Sequence, residues 1–273
     1  MYSVRYAHGP PALVPQEPEG TIIRPFDAMP TMHFQLPGSI YASAMLVFLG
    51  AKKDEYEGMN CFFTLSIVVP QVVLLALNVL IQISFVQYLE RAYSGVDPCE
   101  IETDLVLRYL ALAAFVAGMI FEIFECIEML IWTWNVKTEE SHQPLQLEDR
   151  DGSKELASGL TILQKLLFVL LGVTTKLGIS IYLFVVGAEF VVMSETHSDL
   201  ILNCLAMLFV VEIDDMIYQG FTPSFLKEVI QDLPPLRVPG FNGAAFHLMG
   251  LPWIKVALWL GSVHLIIQHH KCD

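Results

Sequence analysis

LVLRYLALAAFVAGMIFEIFECIEMLIWTW, residues 105–134, is the stretch that decides the fold class. A spanning helix needs about twenty mostly apolar residues. This window is longer than that and holds no charged residue between Arg108 and Glu122. Glu122, Glu125 and Glu128 then follow at three-residue spacing. At about 100° per residue they cover an arc of about 120° on one side of a helix.

Four further windows have the same character on either side of it, at 61–89, 160–193, 200–218 and 244–268. The reading is therefore an all-α polytopic membrane helix bundle with about five transmembrane helices. Pro70 interrupts the first window and is a place for a kink. The window at 160–193 is long enough to tilt. A shorter apolar run at 40–49 cannot cross as a helix, so it reads as an interfacial or re-entrant piece. Residues 224–232, bounded by Pro223 and by Pro234-Pro235, read as a short amphipathic helix. Residues 1–59 form a Pro-rich soluble arm with the short interfacial segment, and residues 60–270 form the transmembrane helical domain. The arm carries Pro10, Pro11, Pro15, Pro18, Pro25, Pro30 and Pro37, with no apolar run behind a basic start, so it lacks the pattern of a signal peptide.

Composition agrees. Of 273 residues, 54% are hydrophobic and only 16% charged, whereas globular chains average about 25% charged residues. The net charge of −14 argues against nucleic acid as a partner and against a polybasic lipid-binding surface. The expected partners are the lipid bilayer, and a homo-oligomer or a larger membrane complex. Basic residues in short loops set the orientation. With a cytoplasmic N-terminus the inner segments carry Lys52, Lys53, Lys137, Arg150, Lys154, Lys227 and Arg237, against Arg91 and Lys271 outside. Trp132 and Trp134 then fall at the inner interface. No organelle signal is present, so the plasma membrane and an internal membrane are equally consistent. Cys61, Cys99, Cys126, Cys204 and Cys272 show no C-x-x-C spacing. Cys99 and Cys272 both fall outside the cytosol in this topology, which allows a disulfide between them but does not require one.

Charge inside the spans is the feature that points to function, because an ionisable residue in hydrocarbon is costly and usually faces protein or water. The acids are Glu122, Glu125, Glu128, Glu212, Asp214 and Asp215, and Lys176 and Lys255 are their counter-charges. On a continuous fourth span, Glu212 and Asp215 share a face and Asp214 turns away. Most of the eight should fall in the same, inner half of the bilayer. They read either as a cation or proton pathway or as helix glue, in which lysines pair with acids. Gln71, Asn78 and Gln82 form a polar stripe on the first span, read as interhelical hydrogen bonding with pore lining as the alternative. Asn203 on the fourth span extends the polar set. Gly172, Thr174, Thr175, Gly178 and Ser180 suit close helix packing.

No di-iron Glu-x-x-His pair, facing haem histidines, G-x-S-x-G elbow, H-E-x-x-H helix or phosphate-cradling glycine loop occurs. The sequence thus supplies no enzymatic motif, calls for no cofactor and names no metal.

The third and fourth spans are the most distinctive text: Leu177-Gly178, Val186-Gly187-Ala188-Glu189-Phe190, Ser194-Glu195, then Asp199 through Asn203, Leu205-Ala206, Val211 through Tyr218 and Thr222-Pro223. This block, within about residues 160–225, resembles uncharacterised multi-pass membrane proteins of dinoflagellate and related algae. In those proteins an asparagine and an acidic E-I-D-[DE] run similarly precede a short aromatic exit. The resemblance implies multi-pass architecture, places Asn203, Glu212, Asp214 and Asp215 in one recurring element, and carries no chemistry. The functional expectation is a cation-handling channel or transporter component; the alternative is a non-catalytic membrane scaffold or accessory subunit.

Overall fold

The computed structural model describes residues 32–48, 61–93, 104–140, 147–150, 153–156, 159–234, 236–238 and 252–270. Most of the Pro-rich arm, together with Cys99 and Cys272, lies outside them. The described chain is helical, with two small two-stranded ribbons.

Helix α1 is Ile40–Phe48 and α2 is Cys61–Tyr93, which runs through Pro70 as one helix. Helix α3, Leu105–Asn135, begins at Asp104, whose carboxylate accepts the Val106 N–H and satisfies one orphan donor of the first turn. Helix α4, Ile162–Leu167, opens with a capping box between Thr161 and Gln164. It passes through a π-helical turn, Phe168–Val173, into α5, Thr174–Val192.

Three stretches are long and apolar enough to cross a membrane: Ser66–Arg91, Leu105–Asn135 and Ile162–Val192. In their most apolar windows only 17, 28 and 39% of residues are buried, so the rest of each surface faces outward. Val73, Leu80, Phe121 and Leu170 are among the exposed residues. An apolar surface that continuous is compatible with lipid and foreign to a water-soluble monomer.

The window at 200–218 departs from a single continuous helix. Helix α6 is His197–Val211 and α7 is Ile213–Phe221, with Glu212 closing the first and opening the second. Asp214 and Asp215 occupy the first turn of α7, where the helix dipole favours acids. Helix α8, Ser224–Asp232, is amphipathic as expected, burying Leu226, Val229 and Ile230. Helix α9 is Pro252–His269; residues 244–251 of the expected fifth span lie outside the described set.

Of the two places expected for the apolar run at 40–49, interfacial or re-entrant, its burial speaks against the interfacial one. Every residue from Ser39 to Val47 is at most 8% exposed. An interfacial helix keeps one polar face in water, whereas α1 is apolar nearly all round and is enclosed by protein. It packs on α2, the π turn, α7 and α8. Strand β1, Met32–Phe34, just ahead of α1, pairs antiparallel with β4, Leu236–Val238, just after α8. Strands β2 (Leu147–Arg150) and β3 (Ser153–Leu156) form a hairpin ahead of α4.

Helix α3 is central and touches α5, α6, α9 and the π turn. The apolar core falls into two clusters. One gathers Tyr41, Met45, Met129, Trp132 and Phe168 around α1; the other gathers Leu112, Phe115, Met119, Leu183, Val191 and Met207. Gly187 lets α5 close on its neighbours, since a Cβ there would lie 2.6 Å from Phe115 Cζ and also meet Met207. Gly178 faces open space, so the packing role expected of it falls to Gly187 and to Gly172, which sits against Met45. Trp132 is 1% exposed, with its ring 6.3 Å from that of Phe168, so it belongs to the core. Trp134, 67% exposed, is the one of the pair placed as a belt residue would be.

Candidate charged site between two apolar layers

Along the long helices buried polar residues lie near where one apolar cluster gives way to the other. On α3, Met119 belongs to one cluster and Cys126 to the other, with Glu122 and Glu125 between them. On α5, Lys176 lies between Val173 and Leu183; on α7, Asp214 lies between Ile213 and Tyr218. On α2, Asn78 and Gln82 fall between Leu75 and Val86.

Lys176 is the centre of this layer and is 2% exposed. Its Nζ lies 3.0 Å from Glu122 Oε2 and 3.1 Å from Asp214 Oδ2, and donates a hydrogen bond to Glu125 Oε2. The ring of Tyr41 on α1 is 5.8 Å from the same nitrogen. Four elements (α1, α3, α5 and α7) therefore meet on one ammonium. The carboxylates of Glu122 and Glu125 are 15% and 31% exposed, whereas Asp214 is enclosed at 2%. Among the described residues neither oxygen of Asp214 accepts a hydrogen bond, so its compensation is electrostatic, from Lys176 and from the N-terminal end of α7.

A neutral network adjoins the ion cluster through Tyr41. Its hydroxyl donates to Gln82 Oε1 at 3.2 Å and accepts from Asn78 Nδ2 at 3.1 Å. Gln82 Nε2 reaches the Val210 carbonyl at 3.5 Å, near the end of α6. Ser43 on α1 donates to Gln71 Oε1 at 3.3 Å. The stripe Gln71, Asn78 and Gln82 is thus buried against α1, holding a short helix inside the bundle by hydrogen bonds between helices. Two of its polar atoms, Gln71 Nε2 and Asn78 Oδ1, have no hydrogen-bond partner among the described residues.

The other acids are placed apart. Leu200, Cys204, Met207, Val211, Asp214 and Tyr218 are buried at helical spacing through the junction at Glu212, so Asp214 faces inward while Glu212, on the other side, is exposed. Asp215 is half-buried beside Asp214 in the first turn of α7. Asn203 donates to Ser194 Oγ at 2.9 Å, joining α6 to the end of α5 outside the ion cluster. Lys255 lies over the Phe124 ring, 4.4 Å from its centroid, and forms no ion pair among the described residues. Glu128, one turn beyond Phe124, is within electrostatic reach of Lys255 without pairing.

Two participants were not singled out by the sequence. Tyr41 sits in a run whose other large side chains are hydrophobes, and nothing in its spacing marks it. Lys165 at the start of α4 is 7% exposed and donates to the Trp134 carbonyl (3.2 Å), the Val136 carbonyl and Thr138 Oγ1 (2.9 Å). It caps the C-terminal end of α3, where a cation is favoured. Among the described residues no group of three His, Cys, Asp or Glu side chains is arranged to hold a metal ion. No protein-family model, curated protein or solved structure matches the chain.

Proposed function

We propose that the chain is an integral membrane protein of five spans that handles cations, protons foremost, at the Lys176 cluster. The observation carrying this reading is the unequal charge around Lys176: three carboxylates on one buried ammonium. One acid is enough to neutralise a lysine. Two surplus negative charges at mid-span are costly, at least about 2.5–3.5 kcal/mol each on insertion scales, and are offset by bound cations or protons. The backbone supports the same reading. A π turn directly precedes the α5 segment that carries Lys176, and a helix break directly precedes Asp214. Such irregularities concentrate at functional sites and at ion sites of transporters.

In this topology α2, α3 and the α4–α5 helix give three crossings. Helix α6, with 15 residues, is only about 22 Å long, so α7 completes the fourth. Helix α9 is the fifth, and the N-terminus is cytoplasmic. The likeness of residues 160–225 to multi-pass algal membrane proteins is in keeping with this arrangement.

The second reading is a non-catalytic scaffold or accessory subunit. It is favoured by the satisfied ion pairs of Lys176 and by the apolar lining of a cavity of about 590 Å³ between α1, α2 and α5. Proteoliposomes carrying a pH-sensitive dye separate the two. The wild type passes protons or monovalent cations, and Asp214→Asn and Glu122→Gln each reduce the flux. Full flux in both variants sinks the cluster as the pathway. A wild type that is silent alone but co-purifies with a larger complex establishes the scaffold.

A further inference from the structure

Lys176 stands where three carboxylates from two helices converge. Glu122 Oε2 is 3.0 Å and Asp214 Oδ2 3.1 Å from its nitrogen, and Glu125 Oε2 accepts a hydrogen bond from it. With the Tyr41 ring 5.8 Å away and the lysine 2% exposed, the point of convergence is filled and closed. A free cation can enter and leave such a point. The ammonium of Lys176 cannot leave, because it is part of the chain.

We infer that Lys176 is a tethered cation that keeps the cluster for protons and shuts out metal ions, which rests on the cation-handling reading and narrows it to one substrate. Three physical points support this. A hard metal ion needs several oxygens at about 2.0–2.6 Å around one centre. Here the centre is the lysine nitrogen, and Glu122 and Asp214 stand at the longer spacing of N–H···O contacts. A second cation among these acids would also sit beside an ammonium in a poorly screened interior, where like charges repel strongly. A proton asks for less. It binds one carboxylate oxygen, needs no cage of ligands, and leaves a neutral carboxyl beside the ammonium instead of a second charge. Asp214 offers such an oxygen, since it is enclosed and accepts no hydrogen bond among the described residues. Uptake adds a proton to a carboxylate oxygen and release removes it, while Lys176 keeps its charge.

The experiment uses the full chain and reads metal binding apart from flux. Thermal unfolding in detergent is compared in choline, sodium, potassium and calcium chloride at matched ionic strength. The wild type and Lys176→Arg, which keeps a tethered cation, should unfold at the same temperature in every salt. Lys176→Gln vacates the centre and leaves the acids, so it should gain metal binding. Its midpoint should rise in at least one metal salt, by about 4 °C over about a hundredfold range of concentration, as binding to the folded state requires. Adding Asp214→Asn to Lys176→Gln should remove the gain and so tie it to this cluster. In proteoliposomes the wild type should pass protons and take up no radiolabelled sodium. Metal-dependent stability of the wild type beyond the choline reference, or sodium uptake by it, overturns the tethered cation and leaves cation handling standing. A folded Lys176→Gln that ignores every salt also overturns it, and the wild-type comparison decides the matter if that variant does not fold. A wild type that moves neither protons nor sodium sinks the cation-handling reading and the proton assignment together, while the salt series still decides whether Lys176 fills a metal position.

Discussion

Lys176 and Lys255 are the same residue type on two apolar helices packed against α3, yet they sit in opposite surroundings. Lys176 is enclosed by carboxylates from two helices. Lys255 rests on an aromatic ring at the edge of an apolar cavity. An ammonium in a bilayer has three ways to be tolerated: counter-charge, a polarisable aromatic face, or escape to the interface. Lys176, near the middle of the 162–192 helix, has only the first. Lys255 has the second, from the Phe124 ring.

The largest expected effect follows from removing the enclosed partner. Lys176→Met leaves Glu122, Glu125 and Asp214 without their cation, and breaking a buried pair from one side costs about 3–5 kcal/mol. Reversible unfolding in mixed detergent and denaturant should read a loss of that order. A loss below ~1 kcal/mol would mean that the acids are already neutral, and the contrast between the two lysines would collapse. Asp214→Asn is the next step down. It keeps the shape and leaves two acids on Lys176, so the cost should be about 1–2 kcal/mol, near that of a charge-assisted hydrogen bond. Its clearest readout is a sharper loss than for Glu125→Gln, because Asp214 is enclosed and Glu125 is about a third exposed. Lys255→Met should change stability least of the three, by about 0.5–1 kcal/mol, the value of an accessible cation–π contact. A loss matching Lys176→Met would show that Lys255 has an acid of its own. Glu212→Gln, at an exposed helix junction, should give no measurable change in the same assay.

Much of the site was legible in the chain, and its grouping was not. Glu122 and Glu125 on one arc of α3, with Lys176 at matching depth on α5, follow from span positions and the helical period. The helical period set Asp214 apart from Glu212 and Asp215, and only the packing around α7 decided that the Asp214 face is the enclosed one. Tyr41 was invisible for another reason. Its hydroxyl has meaning only because α1 is enclosed, and enclosure depends on which helices surround it. Trp132 and Trp134 make the same point two residues apart. Both are aromatic at a span end, but one face of α3 packs on Phe168 and the other faces outward.

The sequence by itself determined where the long helices lie and that they suit a bilayer, because window length and apolar content are local quantities. It also put Glu122, Glu125 and Lys176 at matching positions along their helices, because such positions are counted residue by residue. Only the tertiary structure decided which acids share a lysine, that α1 is buried, and that Lys255 has a ring for a neighbour. Those outcomes depend on helix rotation and on which helices pack against one another. Such rotations arise from packing between helices distant in sequence, and no single helix carries them in its own pattern.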